Sequence, residues 1–198
     1  MIIHALTAFV QKIVLTSVVI VGFSAVGIIG NRVMKPNSHI ADTVSRIPAL
    51  TDSEYFGFVD FTMPANAPRF FVVRSKDLAI VYQWYTSHGS GSGPRNGSGL
   101  KFSNAKGSKM SSAGLYRVRE IYMGKNGKSR RLEGLEKGVN DNARARAIVI
   151  HPANYVTDVH VLLTGYPGRS QGCITLNPAD KELVYSLLSS GSHLYVYK

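Results

Sequence analysis

The sequence predicts a mainly β domain with one packing helix near its C-terminus, preceded by an N-terminal transmembrane helix. Three observations predict this: β-branched and aromatic runs beginning at residue 69, ten tyrosines with eight phenylalanines, and an uncharged stretch over residues 13–30. With 44% hydrophobic and 18% charged residues, the 198-residue chain reads as one globular domain with appendages.

The elements follow in order. The stretch IVLTSVVIVGFSAVGIIG, residues 13–30, is apolar on every face and lies between Lys12 and Arg32. As a helix it would measure about 27 Å, close to the hydrocarbon thickness of a bilayer. Residues 1–30 are therefore expected to be a membrane anchor or signal segment, and the weak SAVG cleavage site favours an anchor. Residues 31–67 mix prolines, polar and scattered apolar residues and read as a spacer, with a short helix near DSEYFGFVDF.

Residues 68–198 form the predicted domain. RFFVVR and LAIVYQWYT, separated by SKD, read as a β-hairpin. The stretch SHGSGSGPRNGSG, residues 87–99, is either a loose surface loop or a loop shaped to approach a ligand. GLYRVREIYM reads as a strand with a turn at KNG, and AIVIH, residues 147–151, as a buried strand ending in a histidine. In NPADKELVYSLLSSG, Asn177 caps a helix, Pro178 takes its first position, Gly191 ends it, and Leu183, Val184, Leu187 and Leu188 make its apolar face. HLYVYK is the closing strand.

Charge narrows the partners. Within residues 1–60, Lys12, Arg32, Lys35 and Arg46 balance Asp42, Asp52, Glu54 and Asp60, so the net charge of +11 lies in residues 61–198. Such a domain suits anionic partners or simply stays soluble. A basic helix, zinc-ligand spacing and an RNP-like aromatic strand are all missing, which argues against nucleic acid.

The chemistry centres on one thiol. Cys173 is the only cysteine, so an internal disulfide is excluded, and the residue is either a buried small hydrophobe or a reactive thiol. Gly172 before it leaves the backbone open, so that the amides of Gly172 and Cys173 can face a substrate oxygen. An ordinary thiol is only a few per cent ionised at neutral pH and needs a base within reach. Of the six histidines, His151 ends a buried strand and offers a rigid imidazole; His160, on a partly apolar segment, reads as structural.

The block RAIVIHPANYV followed by GRSQGC resembles the catalytic region of the L,D-transpeptidases, the YkuD-like enzymes that cross-link bacterial peptidoglycan. Their signature is a histidine, a gap, then Ser, a variable residue, Gly and Cys. The resemblance extends upstream through KFSNAKGSKMSSAGLYRV and RLEGLEKGVNDNARARAIVIH, to cover roughly residues 69–198. It implies a β-sandwich or barrel, Cys173 as the nucleophile, His151 as its base, Ser170 as the motif serine, and Gly172 and Cys173 as the oxyanion amides. It also implies peptidoglycan stem peptides as partners, chemistry without a metal or cofactor, and a domain in the periplasm or cell envelope, either anchored at the inner membrane or secreted. Pro152 stands where the family usually has glycine.

Arg169 and Tyr116, with His88 and Asn104, are expected to line the substrate groove. Two alternatives to transfer stay open at this point. One is a thiol carboxypeptidase or endopeptidase on the same substrate, and the other a wall-binding module without catalysis. A thiol activated by His151 is further expected to alkylate below neutral pH.

Overall fold

The structure, a computed structural model, describes residues 37–198. The expected membrane helix at residues 13–30 lies outside them, and among the described residues no helix is long and apolar enough to cross a membrane.

The chain forms α1 (Ser38–Arg46), a 3-10 turn at Pro48–Thr51, then β1 (Tyr55–Asp60), β2 (Phe70–Arg74), β3 (Ala79–Trp84), β4 (Gly114–Gly124), β5 (Gly127–Gly134) and β6 (Val149–Pro152). After these come α2 (Asp158–Thr164), β7 (Ile174–Leu176), α3 (Lys181–Leu187) and β8 (His193–Tyr197). All eight strands join one sheet in the order β3-β2-β1-β8-β4-β5-β6-β7. The mainly β expectation holds.

Seven places separate β3 from β7 in that order, which in a flat sheet would be about 34 Å. Yet Thr86 and Ser87, just after β3, bond directly to Thr175 of β7. The Ser87 amide donates to Thr175 Oγ1 at 2.9 Å, and the Thr175 amide donates to Thr86 Oγ1 at 3.1 Å. The sheet therefore curls until its two edges are stitched by hydroxyls, which satisfies backbone groups that an open edge would leave bare.

The hairpin of β2 and β3 is where the sequence put it, and so is the turn at Lys125 and Asn126, flanked by the Gly124↔Gly127 pair. The segment read as a spacer differs. It supplies α1, and DSEYFGFVDF becomes a strand, β1, paired to β2 on one side and β8 on the other. The reason is two-sided burial. Phe56 and Phe58 enter one apolar cluster with Ile40 and Leu50 beneath α1, while Val59 enters the larger one with Val72, Val118, Leu194 and Val196. A strand covered on both faces shows a continuous apolar run, so its period of two is hidden.

Asn177 caps a 3-10 turn, Pro178–Asp180, its side chain accepting from the Ala179 amide, and α3 follows directly from that turn with Asp180 at its start and buries Val184 against the larger core. It ends at Leu187 rather than at Gly191, and Leu183 faces outward. Gly191, at φ +101°, instead shapes the turn into β8.

Candidate active site

β6 and β7 run parallel with Ile150 opposite Ile174 and His151 opposite Thr175. Ile150 and Ile174 point into the larger core. Side chains alternate along a strand, so Val149, His151, Thr175 and the position just before β7, Cys173, share the other face. His151 and Cys173 are then diagonal neighbours, about 8 Å apart at the backbone, a gap that an imidazole and a thiol leaning toward each other can close.

The imidazole is oriented by its own strand. His151 Nδ1 lies 2.9 Å from the Pro152 carbonyl oxygen, which fixes the proton on Nδ1 and leaves Nε2 with its lone pair. Burial, helped by the positive charge of Lys125, lowers the His151 pKa, so the ring is neutral at neutral pH. Pro152 supplies this acceptor, which needs no N–H.

The thiol rests elsewhere. Cys173 Sγ donates to the Ala147 carbonyl at 3.6 Å, and Ala147 holds φ at +54°, a left-handed conformation that a non-glycine residue adopts only when its surroundings impose it. Burial pushes the thiol pKa up; the Val149 amide, Arg146 and Lys125 oppose it. Resting Cys173 is a thiol, not a thiolate. That direction opposes the expected alkylation below neutral pH.

The motif turn is closed by Ser170. Its hydroxyl donates to the Cys173 carbonyl at 2.8 Å and accepts from the Gly172 amide at 3.1 Å. The Gly172 N–H is thus committed inside the turn. Of the two amides expected to face an oxyanion, only that of Cys173 takes no part in these bonds. Gly172 is required for another reason: φ is +112°, and a Cβ would meet the Met110 carbonyl oxygen at 2.5 Å.

The Gly-rich loop proves to be packed rather than loose. Gly89 bridges to Ser170 in parallel fashion, the Ser170 amide donates to the His88 carbonyl at 3.0 Å, and the Ser90 amide donates to the Ser170 carbonyl at 2.7 Å. A side chain at Gly89 would strike the backbone at Lys109 and Ser111, so the lack of one lets the two loops touch.

The four residues expected to line a groove separate. Tyr116 is 1% exposed and donates its hydroxyl to the Ser112 carbonyl, and His88 is 1% exposed with both ring nitrogens bonded, so neither reaches a substrate. Asn104 is spent on Asp141 and Asn142, tying its loop to the turn before β6. Side chains this buried cannot read a ligand, so Tyr116 and His88 are corrected to structural positions, while half-exposed Asn104 is held by the bonds of its own loop. Arg169 alone stays exposed, beside Ser170, with Nη1 donating to the Gly93 carbonyl at 3.0 Å.

Other neighbours escaped the sequence. Arg146 sits behind Gly172, donating to the carbonyls of Ser103 and Met110 and to the Ser108 and Ser112 hydroxyls. The charge of Lys125, in the β4–β5 turn, acts on both His151 and Cys173, and Tyr155 feels the charge of a thiolate at Cys173. The signal for Tyr155 was its place within RAIVIHPANYV; an isolated arginine or lysine in a basic chain gave none. Among the described residues no group of three or more His, Cys, Asp or Glu is placed to hold a metal ion.

Fold and site together define a curled β domain whose lone thiol and an oriented, neutral imidazole lie on one face of paired strands. Residues 36–197 match the family model described as the L,D-transpeptidase catalytic domain, and the chain belongs to that family. No curated protein matches it. Similar solved structures include an L,D-transpeptidase from Mycobacterium smegmatis, with 16% identity over 73% of this chain and 59% of that one, TM-score 0.43. An L,D-transpeptidase from Stackebrandtia nassauensis shows 13% identity over 74% and 57%, TM-score 0.44. The helical cell shape determining protein Pgp2 from Campylobacter jejuni shows 11% identity over 73% and 47%, TM-score 0.49. The aligned part spans 59% of the first of these, and membership rests on the family match.

Proposed function

We propose that the domain is a cysteine-dependent L,D-transpeptidase acting on peptidoglycan stem peptides, with Cys173 as nucleophile and His151 as general base. One observation carries this reading: His151 and Cys173 share a face of β6 and β7 while the Nδ1 contact to Pro152 leaves Nε2 free to take a proton.

Because burial holds the imidazole neutral and the thiol protonated, proton transfer accompanies attack instead of preceding it. Substrate binding turns Sγ from the Ala147 carbonyl toward Nε2. The thiol proton passes to His151, the sulfur bonds to the carbonyl carbon between the third and fourth stem residues, and the new oxyanion takes the Cys173 amide. Collapse expels D-alanine, whose nitrogen receives the proton from His151, leaving a thioester. An amine of a second stem then restores the thiol and makes the cross-link. The positive charges of Lys125, Arg146 and Arg169 around the site, with few acids, suit carboxylate-bearing stems.

The apolar stretch at residues 13–30 is read as an anchor that keeps the domain at the membrane of the cell envelope. Hydrolysis by the same thiol is the second reading, since water competes for any thioester. Incubating the full chain with purified disaccharide-tetrapeptide separates the readings by mass. Dimers support transfer, tripeptides alone indicate a carboxypeptidase, and bound but unaltered substrate leaves a wall-binding module.

A further inference from the structure

Arg69 is fully buried, a costly place for a cation. Its guanidinium lies over the Phe61 ring, 4.8 Å from the centroid. Nε and Nη2 both donate to the Thr86 carbonyl, at 3.1 and 3.0 Å, and Nη2 also reaches His88 Nδ1 at 2.9 Å. Since Nδ1 accepts, His88 carries its proton on Nε2 and donates it to the Pro94 carbonyl at 2.9 Å. One fork thus fixes Thr86 and His88 together.

These two residues hold the nucleophile segment from opposite ends. The His88 carbonyl accepts the Ser170 amide at 3.0 Å, three residues before Cys173. Thr86 Oγ1 accepts the Thr175 amide at 3.1 Å, two residues after it. Between these clamps, Ser170 closes the turn on Gly172 and Cys173. A hydrophobic core alone would not set the turn this closely, because hydrophobic contact is non-directional while each of these bonds has a direction.

We propose that Arg69 and His88 are positioning residues that hold the Ser170–Cys173 turn, and with it the Cys173 amide, in the geometry that receives the oxyanion. This deepens the acyl-transfer reading and rests on it. Neither residue touches substrate. Their effect is confined to steps that build charge on oxygen, so alkylation of the thiol, which makes no oxyanion, is insensitive to them.

The test uses the full chain and the variants R69M, R69K, H88L and H88N. It reads kcat and KM for disaccharide-tetrapeptide turnover, the pH profile of Cys173 alkylation by iodoacetamide, and near-UV circular dichroism. R69M, R69K and H88L are expected to lower kcat by about ten- to a hundredfold with KM nearly unchanged, the size of effect that a shift of about 1 Å brings. The alkylation profile stays that of the wild type. H88N, whose amide offers an acceptor and a donor, recovers much of the loss. Folded variants with wild-type kcat overturn the proposal, as does a loss of kcat matched by equal losses in alkylation and circular dichroism. If H88L does not fold, R69K, which keeps the charge and loses the fork, decides by the same split. A wild-type chain that yields neither dimer nor tripeptide overturns the acyl-transfer reading itself, which is a different result.

Discussion

Gly172→Ala tests the tight packing of the nucleophile turn. The backbone at φ +112° lies where an L side chain is strained, a cost of about 1–3 kcal/mol. The added Cβ would also stand 2.5 Å from the Met110 carbonyl oxygen, 3.0 Å from Ile148 Cδ1 and 3.2 Å from Arg146 Nη2. Met110 cannot yield easily, because its carbonyl accepts from the Arg146 guanidinium, which also grips Ser103, Ser108 and Ser112. The turn must move instead, by somewhat under 1 Å, and such a displacement at a reacting centre costs about a hundredfold in rate. Differential scanning fluorimetry is expected to show Tm lower by about 4–8 °C, from about 2 kcal/mol in a chain of this size. Muropeptide turnover should fall about a hundredfold. Gly99→Ala is the control: φ there is +57° and nothing lies within 4 Å of the new Cβ, so it bears backbone strain without the clash and keeps its activity. A G172A protein with wild-type Tm and wild-type turnover would refute the reasoning.

The remaining predictions are shorter. His151→Ala should cut kcat by about 10²–10⁴-fold, the usual worth of a positioned base, while near-UV circular dichroism stays native; a smaller loss argues for another base. Pro152→Gly keeps the carbonyl that orients His151, so turnover should stay close to that of the wild type, and a tenfold fall would show that the ring's fixed φ matters after all. His88 is held near pKa 4 by burial and by Arg69, below its unfolded value of about 6.5, so its contribution is complete above pH 6.5 and is lost as pH falls through 4. Equilibrium unfolding between pH 7 and 3.5 should show that loss, and H88L should flatten it. Iodoacetamide alkylation of Cys173 should accelerate only above the ordinary thiol pKa of about 8.5, and R146M should push the midpoint higher still by removing a nearby cation.

The parts of the fold that were legible are those where one physical signal acts alone. The β2–β3 hairpin and the β4–β5 turn follow from strand runs broken by turn residues, and the 3-10 turn that leads into α3 follows from Asn177 and Pro178. β1 was hidden because both its faces are buried, which removes the alternation that a half-buried strand displays. The shared face of His151 and Cys173 follows from parallel register, whereas the roles proposed for them come from the pattern that carries the family resemblance. Tyr116 and His88 were misread for one reason: a polar side chain in a loop or strand looks the same in sequence whether it faces solvent or a carbonyl. Arg69 was illegible because nothing in RFFVVR says that its arginine turns inward to meet Thr86, 17 residues on.

The electrostatics of the pair decide how the site works. A preformed thiolate–imidazolium pair needs the imidazole raised and the thiol lowered, and here both move the other way, His151 down and Cys173 up, each chiefly through burial. Lys125 helps the thiolate but opposes the imidazolium, so its charge cannot create the pair. Nor, among the described residues, does a carboxylate bond to the ring to steady a positive charge; the Pro152 carbonyl orients it and offers only a dipole. On the proposed acyl-transfer route these directions favour a proton that moves while the carbon–sulfur bond forms, when the charge leaving sulfur reaches an oxygen facing the Cys173 amide. Acylation should then show a normal solvent deuterium isotope effect and an acid limb below the ordinary imidazole pKa of about 6.5. An isotope effect of unity would place the proton on His151 before attack and require a resting ion pair that this burial opposes.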